Sequence, residues 1–201
     1  MNCYILATAN PGKVTEMRQI LGDLNIKILT REDAGINFDV DETGTTFFEN
    51  AMLKARAICL ASGLPAIADD SGLVVESLNG EPGLYSSSYG GVHLTSMQRC
   101  EYLLSKMKNM EQRAAKFVCT IICVYPSGET ITATGECHGI IALQPRGISG
   151  FGYDPVFIPD NFDKTMAELT SDEKNNISHR GIALREFSQK LKAGVLPASG
   201  L

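Results

Sequence analysis

The sequence predicts an α/β fold: a mixed, long central β-sheet with flanking helices, arranged as two lobes around a cleft. Three observations carry this. Short apolar, β-leaning runs alternate with stretches of helical periodicity through the first part of the chain, as in parallel-sheet proteins. Two long β-rich runs joined by Pro126-Ser127-Gly128 then read as a hairpin, which adds antiparallel pairing. With 201 residues, 44% of them hydrophobic, the chain can bury the core of one large domain or two small lobes. No internal repeat, low-complexity tract or linker interrupts it, so residues 1–201 are expected to form a single domain.

Each element has its own signal. Asn2–Ala7 is apolar and reads as a first strand; Val14, Met17, Ile20, Leu21 and Leu24 recur at helical spacing and predict a helix from about Gly12. Asn25–Leu29 predicts a second strand. From Thr46 to Ala61 an apolar stripe of Phe47, Ala51, Ala55 and Ile58 predicts a helix. Strands are predicted near Pro65–Ala68 and Leu73–Glu76, with Ser71-Gly72 turning the chain between them. Glu81-Pro82-Gly83 has turn chemistry. A helix follows from Thr95, its N-cap, to about Lys108. The hairpin strands are Lys116–Tyr125 and Glu129–Leu143, and a glycine-rich loop from Gly147 to Gly152 leads into a short strand, Val156–Pro159. The last helix runs to about Lys192, with Thr170-x-x-Glu173 as its capping box.

Composition narrows the function classes. A net charge of −5 gives no general affinity for nucleic acid or an anionic membrane surface. No apolar run approaches the ~20 residues of a membrane span. Met1–Ala7 lacks the basic start of a signal peptide. The six cysteines form no C-x-x-C pair and lie mostly in apolar segments, which suits buried thiols in a reducing cytoplasm.

The chemistry centres on Asp69 and Asp70, expected at the end of a buried strand, where ligand sites form in α/β sheets. Adjacent carboxylates repel and lose hydration, so the pair calls for a compensating cation or proton, most simply Mg²⁺. A capping Asp beside a solvated one would equally satisfy the local sequence. Four further segments could contribute. Thr8-Ala9-Asn10-Pro11-Gly12-Lys13 joins a strand to a helix and would aim backbone N–H groups, a helix N-terminus and an ammonium at one phosphate, without Walker A spacing. In Asp41–Lys54, Asn50 and Lys54 share a helix face, and Glu42 in the loop before it could supply a second metal carboxylate. Gly150-Phe151-Gly152-Tyr153-Asp154-Pro155 offers close backbone approach and a ring that can stack on a base. Lys174, His179 and Arg180 gather nitrogen donors within seven residues. Taken singly, each segment also fits an ordinary turn or a solvated helix face.

Together and in order, these segments resemble the inosine triphosphatase family, the house-cleaning XTP/dITP diphosphatases. The motifs are T-x-N-x-x-K at Thr8–Lys13, E-T-G-x-T-F-x-E-N-A-x-x-K-A at Glu42–Ala55 and A-D-D-S-G-L at Ala68–Leu73. P-G at Pro82-Gly83, G-F-G-Y-D-P at Gly150–Pro155 and A-E-L-T-x-x-E-K-x-x-I-S-H-R at Ala167–Arg180 complete the set. One departure is Ser88, where bacterial-type members usually carry a basic residue.

The resemblance implies hydrolysis of ITP, dITP or XTP at the α-phosphorus to nucleoside monophosphate and pyrophosphate. It implies that Thr8, Ala9, Asn10, Pro11, Gly12 and Lys13 cradle the phosphates, helped by Lys54. Glu42 and Asp70 would hold Mg²⁺, Asp70 with Asp69 would orient and deprotonate the attacking water, and Ser71 would contact the nucleotide. Phe151, Gly152, Tyr153 and Asp154 would hold the base, and Lys174, His179 and Arg180 would read its edge. The small-molecule nucleotide is the expected partner, with no nucleic acid or membrane, in a cytoplasmic homodimer. A catalytically silent nucleotide-binding module and an Asp-nucleophile phosphatase are the alternatives, though the D-x-D spacing of the latter is absent. Geometry adds one expectation. On an unbroken helix Lys174 and His179 would lie about 140° apart. If all three donors serve one ligand, the helix must break near Ile177-Ser178; otherwise it is continuous and Lys174 is solvated.

Overall fold

The alternation of strands and helices becomes a mixed six-stranded sheet in the computed structural model, which describes residues 2–22 and 24–194. Residues 1, 23 and 195–201 of the expected domain lie outside the described residues. In chain order the elements are β1 (Asn2–Leu6), α1 (Pro11–Leu21), β2 (Ile26–Thr30), α2 (Phe47–Ser62), β3 (Ala66–Val75) and α3 (Ser96–Lys106). They continue with β4 (Ala114–Val124), β5 (Thr130–Ile141), β6 (Phe157–Pro159), α4 (Ser171–Ile177) and α5 (His179–Lys192). The strand order is β2-β1-β3-β4-β5-β6. β1 pairs parallel with β2 and with β3, while β5 and β6 pair antiparallel, so the sheet is mixed as expected. Among the described residues no helix is long and apolar enough to cross a membrane.

The chain divides into two compact units. One comprises residues 1–70, 119–135 and 180–201; the other comprises 71–118 and 136–179. In the first unit, strand alternation sorts the core onto two faces. Tyr4, Leu6, Ile67, Cys119, Ile121 and Cys123 pack with Met17 and Leu21 of α1 and Ala183, Leu184 and Phe187 of α5. The intervening residues Ile5, Ala7, Ala66, Ala68, Ile122 and Val124 pack with Ala51, Ala55 and Ile58 of α2. The second unit has its own core, in which Leu73 and Val75 meet Cys100 and Leu103 of α3, Phe117 of β4, and Tyr153, Val156 and Phe157.

One expectation about the strands needs correction. The strands predicted on either side of Ser71-Gly72 are one ten-residue strand, β3, and the two aspartates lie within it. Gly72 is not among the positive-φ glycines, so the Ser-Gly pair continues the strand instead of turning it. The β1–β3 pairing ends at Leu6↔Ile67, so Asp69 and Asp70 extend beyond the carboxyl end of β1. Of the two readings of the last helix, the broken one holds: α4 ends at Ile177, Ser178 is extended (φ −68°, ψ 152°), and α5 begins at His179.

β6 is only three residues long and follows Asp154-Pro155-Val156 directly, so its seating on β5 positions that loop. Gly139 of β5 lies opposite Pro159. A Cβ there would come within 2.2 Å of the Ile158 carbonyl and 2.9 Å of Pro159 Cα. Gly139→Ala is expected to push β6 off the sheet and destabilise the fold by about 1–3 kcal/mol, read as a lower urea midpoint.

Candidate active site

Successive residues of a strand point to opposite faces, and this separates the aspartate pair. Asp69 is in phase with Ile67 and faces α1 and α5; Asp70 is in phase with Ala66 and Ala68 and faces α2. Each therefore has its own cations. Asp69 Oδ2 lies 3.0 Å from Lys13 Nζ and accepts from Arg180 Nε at 3.2 Å and a second guanidinium nitrogen at 3.1 Å. Asp70 Oδ1 lies 3.0 Å from Lys54 Nζ, and Oδ2 accepts from Asn50 Nδ2 at 3.4 Å. The two carboxyls diverge accordingly. Burial pushes Asp69 up, but Lys13, Arg180 and Lys54 outweigh it and hold it well below the usual carboxylate range. Asp70 is raised: burial dominates, Lys54 opposes it, and neighbouring Glu42 adds to the rise.

The loop after β1 caps α1. Asn10 Oδ1 accepts from the backbone N–H groups of Gly12 (2.9 Å) and Lys13 (3.2 Å), with Pro11 in the first turn, so the helix starts one residue earlier than predicted. Thr8 Oγ1 accepts from Asn10 N, which fixes the entry to the cap. A cavity of about 500 Å³ opens beside this loop, with Thr8, Ala9 and Pro11 in its wall. The cap sets where Lys13 leaves the helix, and its ammonium reaches Asp69.

On the opposite face, α2 orders the loop that carries Glu42. Thr46 caps the helix by accepting from Glu49 N, and Glu49 Oε2 accepts from Thr45 N and Thr45 Oγ1. Asn50 Oδ1 accepts from Gly44 N at 2.8 Å. A Cβ on Gly44 would sit 2.6 Å from Glu49 Cβ and 2.7 Å from Asn50 Oδ1, so the close approach needs glycine. Glu42 is thereby brought to Lys54 Nζ at 2.7 Å, the same ammonium that meets Asp70. Burial would lower the Lys54 pKa, but Asp70, Asp69 and Glu42 raise it. Among the described residues no group of three or more His, Cys, Asp or Glu converges. Two carboxylates on one cation suit a hard ion that takes its other oxygens from substrate phosphates and water.

The second unit assembles the remaining predicted residues. Asp154 is buried and its Oδ2 accepts from Phe151 N at 2.8 Å and from Lys174 Nζ at 2.6 Å. Lys174 is buried too, and its ammonium stands 4.8 Å from the centre of the Phe151 ring. It is therefore not the solvated lysine of a continuous helix. Tyr153 is buried and donates to Ser86 O at 3.0 Å. Cys100 Sγ lies 3.3 Å from Gly152 O. Ser71 is half-buried in β3. His179, the first residue of α5, is buried with its ring stacked on Phe117.

Arg180 behaves differently from its neighbour. It is 2% exposed, and besides Asp69 its guanidinium donates to Glu16 Oε2 at 2.5 Å. Burial alone would lower its pKa, but Asp69 and Glu16 outweigh that and hold it fully charged. Sequence reasoning missed Glu16 and Phe117. Glu16 stands three residues after Lys13 on α1, the spacing of side chains that share a helix face, and that signal could have found it. Nothing in the sequence distinguishes Phe117 from other apolar residues of β4.

The two carboxyls should affect stability with opposite sign in metal-free protein. Asp69 has a depressed folded pKa, so its contribution is present above the unfolded value of about 3.9 and lost only as pH falls through the lower folded value. Asp70 is raised, so its contribution is present below about 3.9 and lost as pH rises through the folded value. In EDTA, Asp69→Asn is expected to unfold more easily at both pH 7 and pH 4, by about 3 kcal/mol or more for a broken buried pair. Asp70→Asn also removes the Lys54 pair, so the sign to read is the trend: relative to wild type it should gain melting temperature between pH 4 and pH 7. Thermal unfolding across that range checks both signs.

The Ham1 family model matches residues 4–190. The dITP/XTP pyrophosphatase of Bacillus subtilis is 47% identical over 191 residues, covering 94% of this chain and 96% of that protein. Among solved structures, a HAM1 protein from Coxiella burnetii superposes with a TM-score of 0.89 at 41% identity, covering 96% of this chain and all of that one. The nucleoside-triphosphatase, or dITP/XTP pyrophosphatase, of Mycobacterium abscessus gives 0.73 at 36% identity, covering 97% and 99%. The resemblance read from the motifs therefore holds along nearly the whole sequence, and this chain belongs to the Ham1 family.

Proposed function

We propose that this chain hydrolyses non-canonical purine nucleoside triphosphates (ITP, dITP and XTP) at the α-phosphorus. The products are nucleoside monophosphate and pyrophosphate, and the role is to remove deaminated purines from the nucleotide pool. It acts as one enzymatic domain, in a cytoplasmic homodimer, with the nucleotide as partner and no nucleic acid or membrane. The observation that carries the reading is Lys54 joined at once to Glu42 and Asp70, beside an Asp69 already neutralised by Lys13 and Arg180. Relatives named dITP/XTP pyrophosphatase support the same substrate class.

Glu42 and Asp70 would hold Mg²⁺, which supplies the positive charge that makes the α-phosphorus open to attack. Asp70 takes a proton from the attacking water on a carboxylate oxygen. Asp69 stays ionised and fixes Lys13 and Arg180. Lys13 and the Thr8–Gly12 turn bind the phosphates, and Lys54 turns from its carboxylates to the charge that develops on the departing pyrophosphate. Ser71 contacts the nucleotide.

Phe151, its backbone N–H held by Asp154, stacks on the base, which Gly152, Tyr153 and Asp154 help to hold. Lys174 and His179 present donors to the 6-oxo group of hypoxanthine or xanthine. Adenine would set an amino donor against them, a mismatch on the order of 1–3 kcal/mol. Arg180 is assigned to clamping Asp69 and Glu16 instead of reading the purine edge, because those carboxylates engage its guanidinium.

Phosphorus NMR of ITP turnover with Mg²⁺ tests the reaction. IMP and pyrophosphate are expected, with solvent oxygen in the IMP; IDP and inorganic phosphate would overturn attack at the α-phosphorus. Excess EDTA should stop turnover, and Asp70→Asn should lower kcat by about 10³-fold or more while the fold persists. The same assay across XTP, dITP, GTP and ATP gives the substrate ranking.

A further inference from the structure

His179 is the first residue of α5 and 6% exposed. Its imidazole lies parallel to the ring of Phe117 on β4, with centroids 4.6 Å apart and planes inclined by 11°. Phe117 in turn packs on Phe157, at 4.7 Å and 59°. The outer torsion of histidine is broad and roughly two-fold, so rotamer preference alone does not set the ring plane. A flat partner does. Imidazole N–H groups lie in the plane of the ring, and hydrogen bonds weaken steeply once the donor angle falls towards about 120°. Whatever fixes this plane also fixes the direction in which His179 donates.

We propose that Phe117 is a positioning residue: by stacking on His179 it aims the imidazole and thereby sets the preference for 6-oxo over 6-amino purines. The proposal rests on the reading of His179 as a donor to the purine edge. A leucine at 117 would serve the core nearly as well by volume but offers no flat face.

The test compares kcat and KM for ITP and ATP in Phe117→Leu, Phe117→Tyr, His179→Ala and the double variant Phe117→Leu/His179→Ala. Phe117→Leu is expected to raise KM for ITP and shrink the ITP-to-ATP ratio of kcat/KM by about 3- to 10-fold, the range an aromatic pair accounts for, with kcat for ITP little changed. The double variant should discriminate no worse than His179→Ala alone, since contacting residues are not additive. Phe117→Tyr keeps the ring face and should restore most of the ratio. The protein has only three histidines, so the His179 ring signals are assignable by NMR. They should lose their ring-current shift in Phe117→Leu.

A loss of ratio in His179→Ala but not in a folded Phe117→Leu overturns the proposal and leaves the purine reading intact. An unchanged ratio in His179→Ala overturns the purine reading and the proposal with it. Should Phe117→Leu fail to fold, a folded Phe117→Tyr that discriminates as poorly as His179→Ala overturns the proposal, and one that retains the ratio with the ring-current shift supports it.

Discussion

Two carboxylates on consecutive residues of one strand take different nearest counter-ions, because the pleat sends them to opposite faces. Much of the first unit answers that constraint. Asp69 draws Lys13 from α1 and Arg180 from α5; Asp70 draws Lys54 from α2. Three helices are thus tied by charge to one short stretch of β3. Their apolar faces are tied to the same strand by Ile67 on one side and by Ala66 and Ala68 on the other. The fold and the site use one periodicity. It also lets two chemically identical groups differ: Asp69 is held ionised by its cations while burial raises Asp70.

The break after α4 solves a related problem of direction. On one straight helix, Lys174 and His179 would diverge and Arg180 would turn a further 100° or so from His179. With Ser178 extended, Lys174 is committed to Asp154 and Phe151, His179 to Phe117, and Arg180 to Asp69 and Glu16. A capping box at Thr170 and Glu173 starts the short first helix and fixes the register of Lys174. Three cations or donors close in sequence therefore serve three different partners. The sequence shows their proximity but not this division.

What was legible follows the same line. Strand and helix types were readable because each buries a periodic face, and the motifs around Asp69-Asp70, Glu42 and Asp154 marked the groups that meet. The Ser71-Gly72 pair misled because the residues that favour a turn also fit an extended strand when neighbouring strands carry it on. Arg180 was recognised as important but its carboxylate partners Asp69 and Glu16 were not, since a guanidinium's direction depends on groups that are distant in sequence. Phe117 was invisible for a plainer reason. A ring that stacks on histidine and a ring that fills a core look alike in a string of apolar residues.

Charge balance in the first unit carries the argument one step further. Among the described residues, Asp70 and Glu42 share the Lys54 ammonium, Asp69 and Glu16 share the Arg180 guanidinium, and Asp69 also takes Lys13. A bare triphosphate would add negative charge beside these carboxylates. A divalent ion at Glu42 and Asp70, as proposed, would offset part of that charge and free Lys54 for phosphate. On this reading the site is matched to the metal–nucleotide complex and not to either component alone. In the metal-free state burial raises the Asp70 pKa, Lys54 opposes it and Glu42 adds to it, so an added cation beside Glu42 and Asp70 acts against both raising causes.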